Sequence, residues 1–574
     1  MTRTHQARLR RSALAAGAAL AVTAGVVAAA PDGDSAQTTP KLSLIAATNS
    51  LTLNSWKEDP GVYLDLGTYL TSEGGPFELK VTRKSYKDPV VAEQIIHNGT
   101  ETTTKALPAD LVKDFSGLPD FAQISITDTN RKVVVNRSEK YCPNNAAGRI
   151  DPDGPAKSKY PESCPENAFT LGSVWGVEKG WASNTYAGYS SEPVKLAAGK
   201  YTAKVTVNKR YRDLFGISSK PQLINLTVRE RSWEDEDGAG LRANKAMSGH
   251  SGHDMAAMKG MAGHGSMRPD APAAPTSGAG PSYNVGHGPL IPAPPALPWA
   301  LKKASLKAAV APVGDGPGRT DGSRQAPAAS PNAKRPTGKA AVPDVPKPDL
   351  RSLPAYGIEI SDGGQEVKGK DYLAFSANVW NAGPAQLVVD GFRSPGKELM
   401  DAYQYFYDAD GTQVGYTPTG TMEWDPRPGH EHWHFTDFAS YRLLKADQKE
   451  QVRSGKEAFC LANTDAVDYT VKNANWHPGN TDLSTACGQE NSISVREVLD
   501  VGSGDTYTQD LPGQSFDITN LPNGTYYIQV LANPENRLKE TNLDNNSALR
   551  KVVLGGKPGA RTVKVPAHDL VDAN

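Results

Sequence analysis

Three of the chain's eleven histidines fall at 430, 432 and 434, in the stretch PGHEHWHFTD. Successive side chains of an extended strand point to opposite faces, so residues two apart share one. His430, His432 and His434 then line one face, with Glu431 and Trp433 on the other. Neighbouring imidazoles on that face stand about 7 Å apart at their roots, close enough to converge on one metal ion. Imidazole suits zinc and copper alike, and the spacing does not choose between them. A zinc hydrolase would need a general base beside the triad, and Glu431 faces the wrong side of the strand.

Two further motifs follow in order. GKEAFCL (455–461) places Lys456 four residues before Cys460, and GDTYTQDLPGQSFDIT (504–519) places Tyr507 ten residues before Asp517. The histidines themselves are followed by Asp437-Phe438 and by YRLL from Tyr441. Together these motifs resemble those of the lysyl oxidases, over roughly residues 347–556. The resemblance implies copper on His430, His432 and His434. It also implies a built-in redox cofactor, lysine tyrosylquinone, made from Lys456 and Tyr507. The implied reaction turns a primary amine, peptidyl lysine being the family's suggestion, into an aldehyde. Oxygen is consumed, and hydrogen peroxide and ammonia are released. The residue types fit: a phenol beside copper and oxygen can be oxidised to a quinone, and a nearby amine can add to its ring. Such a cofactor carries the hard chemistry while the fold positions it.

Two departures from animal members matter. The segment between Lys456 and Tyr507 is longer, a change that loops tolerate. Ser440 stands where those members carry a histidine, which leaves the proton-abstracting base open. Asp437 is the candidate, although its odd offset from His434 turns it away from the copper face unless a bulge intervenes. NPENRLKETNLDNNS (533–547) resembles the family's calcium-binding segment. That resemblance implies oxygen ligands from Glu540, Asn542, Asn545 and Asn546, completed by Asp349 and the Leu350 carbonyl. Asn542 replaces an acidic residue, which weakens the site. The rival to an oxidase is an extracellular copper-binding or surface-binding protein without oxidase activity; the presence of both Lys456 and Tyr507 favours the oxidase.

These side chains need rigid elements to hold them. At 574 residues the chain exceeds what one core organises. Residues 41–231 and 347–556 both alternate apolar with polar residues and favour β-branched ones, as in PFELKV, FAQISIT, KYTAKVTVN, YLAFSANVWN and TYYIQVLAN. Turn residues punctuate them, and long amphipathic helices are hard to find. The expected fold is mainly β. Two β-sandwich-like domains are joined by a long disordered Pro/Ala/Gly-rich linker (232–346) and followed by a C-terminal tail (557–574). A net charge of −1, with no basic stripe, argues against a nucleic-acid partner.

The linker opens with MSGHSGHDMAAMKGMAGHGSM. Met247, Met255, Met258, Met261 and Met267 lie there with His250, His253 and His264, five of the chain's eight methionines. Thioether sulfur suits Cu(I), which reads as copper capture. At the N-terminus Arg3, Arg8, Arg10 and Arg11 precede an Ala-rich apolar run, the layout of a secretory signal peptide over residues 1–36. The mature protein is then expected outside the cytoplasm, secreted and free of the membrane. In that compartment the four cysteines form two local disulfides, Cys142–Cys164 and Cys460–Cys487.

The first β region also echoes the second. DFAQISITDTNRK (120–132) parallels DFASYRLLKADQK (437–449), SNTYAG (183–188) parallels GDTYTQ (504–509), and one cysteine couple falls in the matching place of each. This reads as a duplicated domain. Lys113, Phe115 and Gly117 would face the positions of the histidines and Ser138 that of the lysine, so the first copy has lost the copper and quinone chemistry.

Overall fold

A computed structural model describes residues 40–232 and 335–571, apart from 58–59, 100, 187, 189–190, 363–365, 394–395, 427–431, 437, 455, 457, 479–486 and 512. The signal segment, the Met/His run and most of the linker lie outside the described residues. What is described is two β domains, each with its own apolar core.

Each domain holds three sheets, and the sheets correspond. In the first domain one sheet runs Lys41–Ala46, Thr68–Glu73, Trp181–Asn184, Ala147–Arg149; in the second it runs Leu350–Ser352, Tyr372–Asn381, Ser503–Tyr507, Asp465–Ala466. Another runs Ser50–Trp56, Gln222–Arg231, Gly199–Val207, Leu118–Thr127, Val133–Tyr141, matched by Ala560–Lys564, Ser547–Lys557, Gly524–Ala532, Ala439–Lys445, Glu450–Arg453. The edge strands differ, Ser50–Trp56 running parallel to its neighbour and Ala560–Lys564 antiparallel to its own, but the inner strands agree in register. Ala122 faces Val207 and Ala439 faces Ala532. Just beyond each pair, Asn208 N–H donates to the Phe121 carbonyl and Asn533 N–H to the Phe438 carbonyl, both at 2.7 Å.

The third pair of sheets diverges where the chemistry lies. The first domain has Gly172–Val177, Phe77–Thr82, Val91–Asn98, Glu101–Ala106. The second repeats this as Ser494–Leu499, Leu387–Arg393, Met400–Tyr407, Gln413–Asp425, then adds His432–Thr436 and Ala458–Phe459. The first domain crosses the corresponding stretch, residues 107–117, in turns. Lys113, Phe115 and Gly117 therefore sit on no strand. At Gly117 φ is +133°, and a Cβ would lie 2.5 Å from the Tyr141 carbonyl oxygen.

Alternation explains most strands. In Gly199–Val207, Ala203, Val205 and Val207 are buried while Lys204 is exposed. Tyr372–Asn381 is buried along its whole length, a strand covered on both faces. Two expected boundaries change. The C-terminal stretch is no free tail: the turn Lys557-Pro558-Gly559-Ala560 leads into Ala560–Lys564, which pairs with Ser547–Lys557. The linker's last residues also lie on the fold, where Ala341 and Tyr416 exchange backbone hydrogen bonds of 3.0 and 3.1 Å. One short helix, Lys209–Phe215, was not apparent from the sequence; Asn208 caps it and left-handed Gly216 ends it.

Candidate active site

The histidine strand His432–Thr436 pairs antiparallel with Gln413–Asp425, setting His434 opposite Glu423 and His432 opposite Asp425. Trp433 and Phe435 turn into the core, where Trp424 packs against Trp433. His432 and His434 share the other face, both buried, with ring centroids 4.7 Å apart and nearly perpendicular. His434 Nδ1 lies 3.8 Å from Asp425 Oδ2, close enough for charge interaction but beyond hydrogen-bond reach. His430 lies outside the described residues. Among the described residues no three His, Cys, Asp or Glu side chains form a metal cluster.

Ala458–Phe459 pairs with the histidine strand and brings Lys456 beside it. Ser503–Tyr507 approaches from the sheet that packs against it. Lys456 and Tyr507, 51 residues apart in sequence and each 1% exposed, meet inside the core. The Lys456 Nζ sits 3.8 Å from the centroid of the Tyr507 ring and 4.4 Å from that of Phe459. Burial holds the amine's pKa well below the ordinary lysine value, with the Asp505 charge opposing. A neutral amine has the lone pair that addition to a ring requires.

The Tyr507 hydroxyl is held at two points, 2.9 Å from the Cys460 carbonyl oxygen and 2.8 Å from Asp505 Oδ2. Asp505 and Tyr507 are two apart on one strand and share its face. Burial pushes the Asp505 carboxyl well up, while the hydrogen bond to Tyr507 and the Lys456 charge pull it back. A neutral Asp505 satisfies both contacts: it donates to the phenol oxygen, and the phenol donates to the Cys460 carbonyl, which can only accept. When Asp505 ionises, its contact reverses and the phenol proton turns toward it. Glu497, wholly buried, accepts from Leu461 N–H at 3.0 Å, and burial raises its pKa too.

The two expected disulfides are formed, Cys142–Cys164 and Cys460–Cys487, each within its own domain. The second ties the two halves of the site together. The Cys460 carbonyl receives the Tyr507 hydroxyl, while the Cys487 carbonyl receives the N–H of Trp433, between the two histidines, at 2.9 Å.

Most of the proposed calcium residues are also gathered. Asp349 Oδ1 accepts from Asn545 Nδ2 at 3.0 Å. Glu540 accepts from Asn533 and Asn546 Nδ2 and from Leu350 N–H at 2.7–2.8 Å. Leu350 thus contributes its N–H here, and Arg351 pairs with Asp349. Asn542 is exposed and accepts from Asp544 N–H. The buried Oδ1 atoms of Asn545 and Asn546 have no hydrogen-bond donor. Turning those amides would aim oxygens at the carboxylates, an arrangement that a cation between them would favour.

Asp437 lies outside the described residues. Asp505 is the carboxylate placed on the phenol, and it was legible in principle: it stands in the Asp-Thr-Tyr motif, at the spacing that shares a strand face.

Comparison with known proteins converges on the same region. Residues 408–562 match the family model described as lysyl oxidase. The protein-lysine 6-oxidase of Sus scrofa is 32% identical over 125 residues, 21% of this chain and 44% of that protein. The Homo sapiens protein-lysine 6-oxidase is likewise 32% identical, over 26% of its length. Lysyl oxidase homolog 4 of Mus musculus is 30% identical over 128 residues, 22% of this chain and 15% of that protein. The chain thus spans less than half the length of each of these relatives. By motif, geometry and comparison alike, it is the second β domain, over residues 408–562, that resembles the lysyl oxidases.

Proposed function

We propose that the second domain is a copper-dependent amine oxidase of lysyl oxidase type, converting a primary amine to an aldehyde. The observation that carries this reading is the buried Lys456 amine over the face of the Tyr507 ring. Two buried imidazoles on one strand face, with Asp425 close to His434, suit copper, and His430, His432 and His434 would hold it. Copper with oxygen supplies the oxidising power that makes a quinone of a tyrosine, and the quinone supplies the power to oxidise an amine.

The chain's own residues prepare this chemistry. The fold excludes water from Lys456, keeping its amine neutral and nucleophilic. The Cys460 carbonyl and Asp505 fix the phenol oxygen, so the ring presents its face to that amine. Protonated, Asp505 donates to the phenol oxygen, and once ionised it accepts the phenol proton, so it moves a proton at that atom. The Cys460–Cys487 disulfide holds the phenol and the histidine strand in one frame.

Peptidyl lysine is the proposed substrate class, in keeping with the names of the relatives. Calcium would bind at Asp349, Glu540, Asn545 and Asn546 as a structural ion, with Leu350 and Asn542 at its margin. The first domain is proposed to be a duplicate without the chemistry: Tyr186 takes the place of Tyr507, Asn184 that of Asp505 and Ser138 that of Lys456. The disulfides suit a secreted protein, and among the described residues no helix is long and apolar enough to cross a membrane. The Met/His run is proposed to capture copper for maturation. Deleting 247–267 should slow maturation at limiting copper while leaving fully loaded enzyme as active as before; equal maturation would remove the idea. The direct test of activity is peroxide release from a primary amine, abolished by a carbonyl reagent. No release from fully copper-matured protein would remove the oxidase reading.

A further inference from the structure

The first domain reaches the second through the segment between Cys164 and the strand Gly172–Val177. Phe169 is wholly buried with Leu353, Trp380, Val467 and Val571 of the second domain. Backbone bonds pin it there: Leu171 N–H donates to the Val467 carbonyl at 2.8 Å, and Tyr469 N–H to the Gly172 carbonyl at 2.9 Å. The Thr170 hydroxyl donates to the Ala466 carbonyl at 3.2 Å.

Within this segment Asn167 is held in one orientation. Its Oδ1 accepts from Phe169 N–H at 2.9 Å, so its amide donors must face the second domain. They reach Asp465 Oδ2 at 3.0 Å and the Tyr356 hydroxyl at 3.1 Å. The same Asp465 oxygen accepts from the Thr506 hydroxyl. Thr506 receives a second bond from Asn378 Nδ2 at 2.7 Å, and its N–H donates to the Thr464 hydroxyl at 2.6 Å.

Thr506 lies between Asp505 and Tyr507. On a strand its side chain points away from the face that carries those two. Thr506 is thus held from behind by side chains as well as by the ladder that pairs it with Asn378, and both bear on how Asp505 and Tyr507 are presented to Lys456. Asn167 is two hydrogen bonds from that anchor, on the other domain.

We propose that Asn167 is a positioning residue for construction of the quinone, so that the first domain, without the chemistry itself, completes the site of the second. This rests on the amine-oxidase reading. The stake is geometric: addition to a ring needs near-contact alignment, and misplacement by about 1 Å costs on the order of a hundredfold in rate.

The test uses the full-length protein, expressed without copper, loaded with it and followed by peptide mapping for the Lys456–Tyr507 cross-link. Asn167→Asp places a carboxylate against Asp465. Asn167→Ala removes the donor without adding charge and serves if Asn167→Asp does not fold. The single variants, at wild-type copper content and native near-UV circular dichroism, are expected to cross-link about tenfold or more slowly. A purely structural role would lower the melting temperature but leave the rate of the folded fraction untouched. Wild-type rates in both folded single variants overturn the inference. Absence of the cross-link in wild type overturns the oxidase reading instead, so the two failures are distinguishable.

Discussion

The Lys456 amine lies 3.8 Å from the centroid of the Tyr507 ring, in a core that excludes water from both. A lysine so placed disfavours its own charge, and burying it costs stability. Lys456→Met, similar in volume and without the amine, is expected to abolish the cross-link. It should leave the unmatured protein as stable or more so, by about 1 kcal/mol or more. The pH dependence follows from the lowered pKa. Between the folded value and the ordinary 10.5, the unfolded chain binds the proton and the folded one does not, so this group's contribution to stability rises with pH. The gap between variant and wild type should therefore narrow as pH rises toward 10.5. Urea denaturation of copper-free protein across that range measures it; a constant gap would mean the amine is charged in the fold.

Asp505→Asn keeps the shape at the phenol oxygen but cannot carry a proton. Cross-link formation is expected to slow about a hundredfold, the usual contribution of a positioned acid–base group. Stability should hold, because an amide is easier to bury than a charged carboxylate. Timed peptide mapping after copper addition reads the rate, and an unchanged rate would remove Asp505 from the proton path.

The two disulfides close loops of similar length, with separations of 22 and 27 residues, so removing either should cost about 3–4 kcal/mol. Their effects on the site should differ. Loss of Cys460–Cys487 by paired serine substitution should weaken both copper binding and cross-linking, since its two carbonyls hold Tyr507 and Trp433. Loss of Cys142–Cys164 should lower stability and leave copper binding unchanged. Copper titration of both variants under conditions that keep them folded separates these outcomes.

The copper and quinone residues should fail in different ways. His432→Ala or His434→Ala is expected to lose copper and, with it, the cross-link. Asp425→Asn removes a negative charge 3.8 Å from the His434 ring and should weaken copper binding without abolishing it. Tyr507→Phe should keep the copper and lose all amine oxidation. Metal analysis after dialysis, set beside peroxide release, distinguishes the two classes.

Strand alternation made most of this legible from the chain alone. It gave the two β domains, put His432 and His434 on one face, and set the cysteine couples within their domains. The turn Lys557-Pro558-Gly559-Ala560 and the alternation after it were equally available, yet a short segment after an apparent domain end reads as a tail. What alternation cannot give is distance between sheets. The meeting of Lys456 with Tyr507 rested on family likeness until the two sheets were seen packed together. Asn167 carried no signal at all, because its partners Asp465 and Tyr356 lie 298 and 189 residues further along. Hydrogen bonds across a domain boundary leave no periodic trace in sequence.

The most direct measurement is peptide mapping of the full-length protein after copper loading in air. One species joining the peptide that contains Lys456 to the peptide that contains Tyr507 is expected, absent from protein kept without copper. Two unmodified peptides from fully copper-loaded protein would contradict it and favour an extracellular copper-binding protein without oxidase activity.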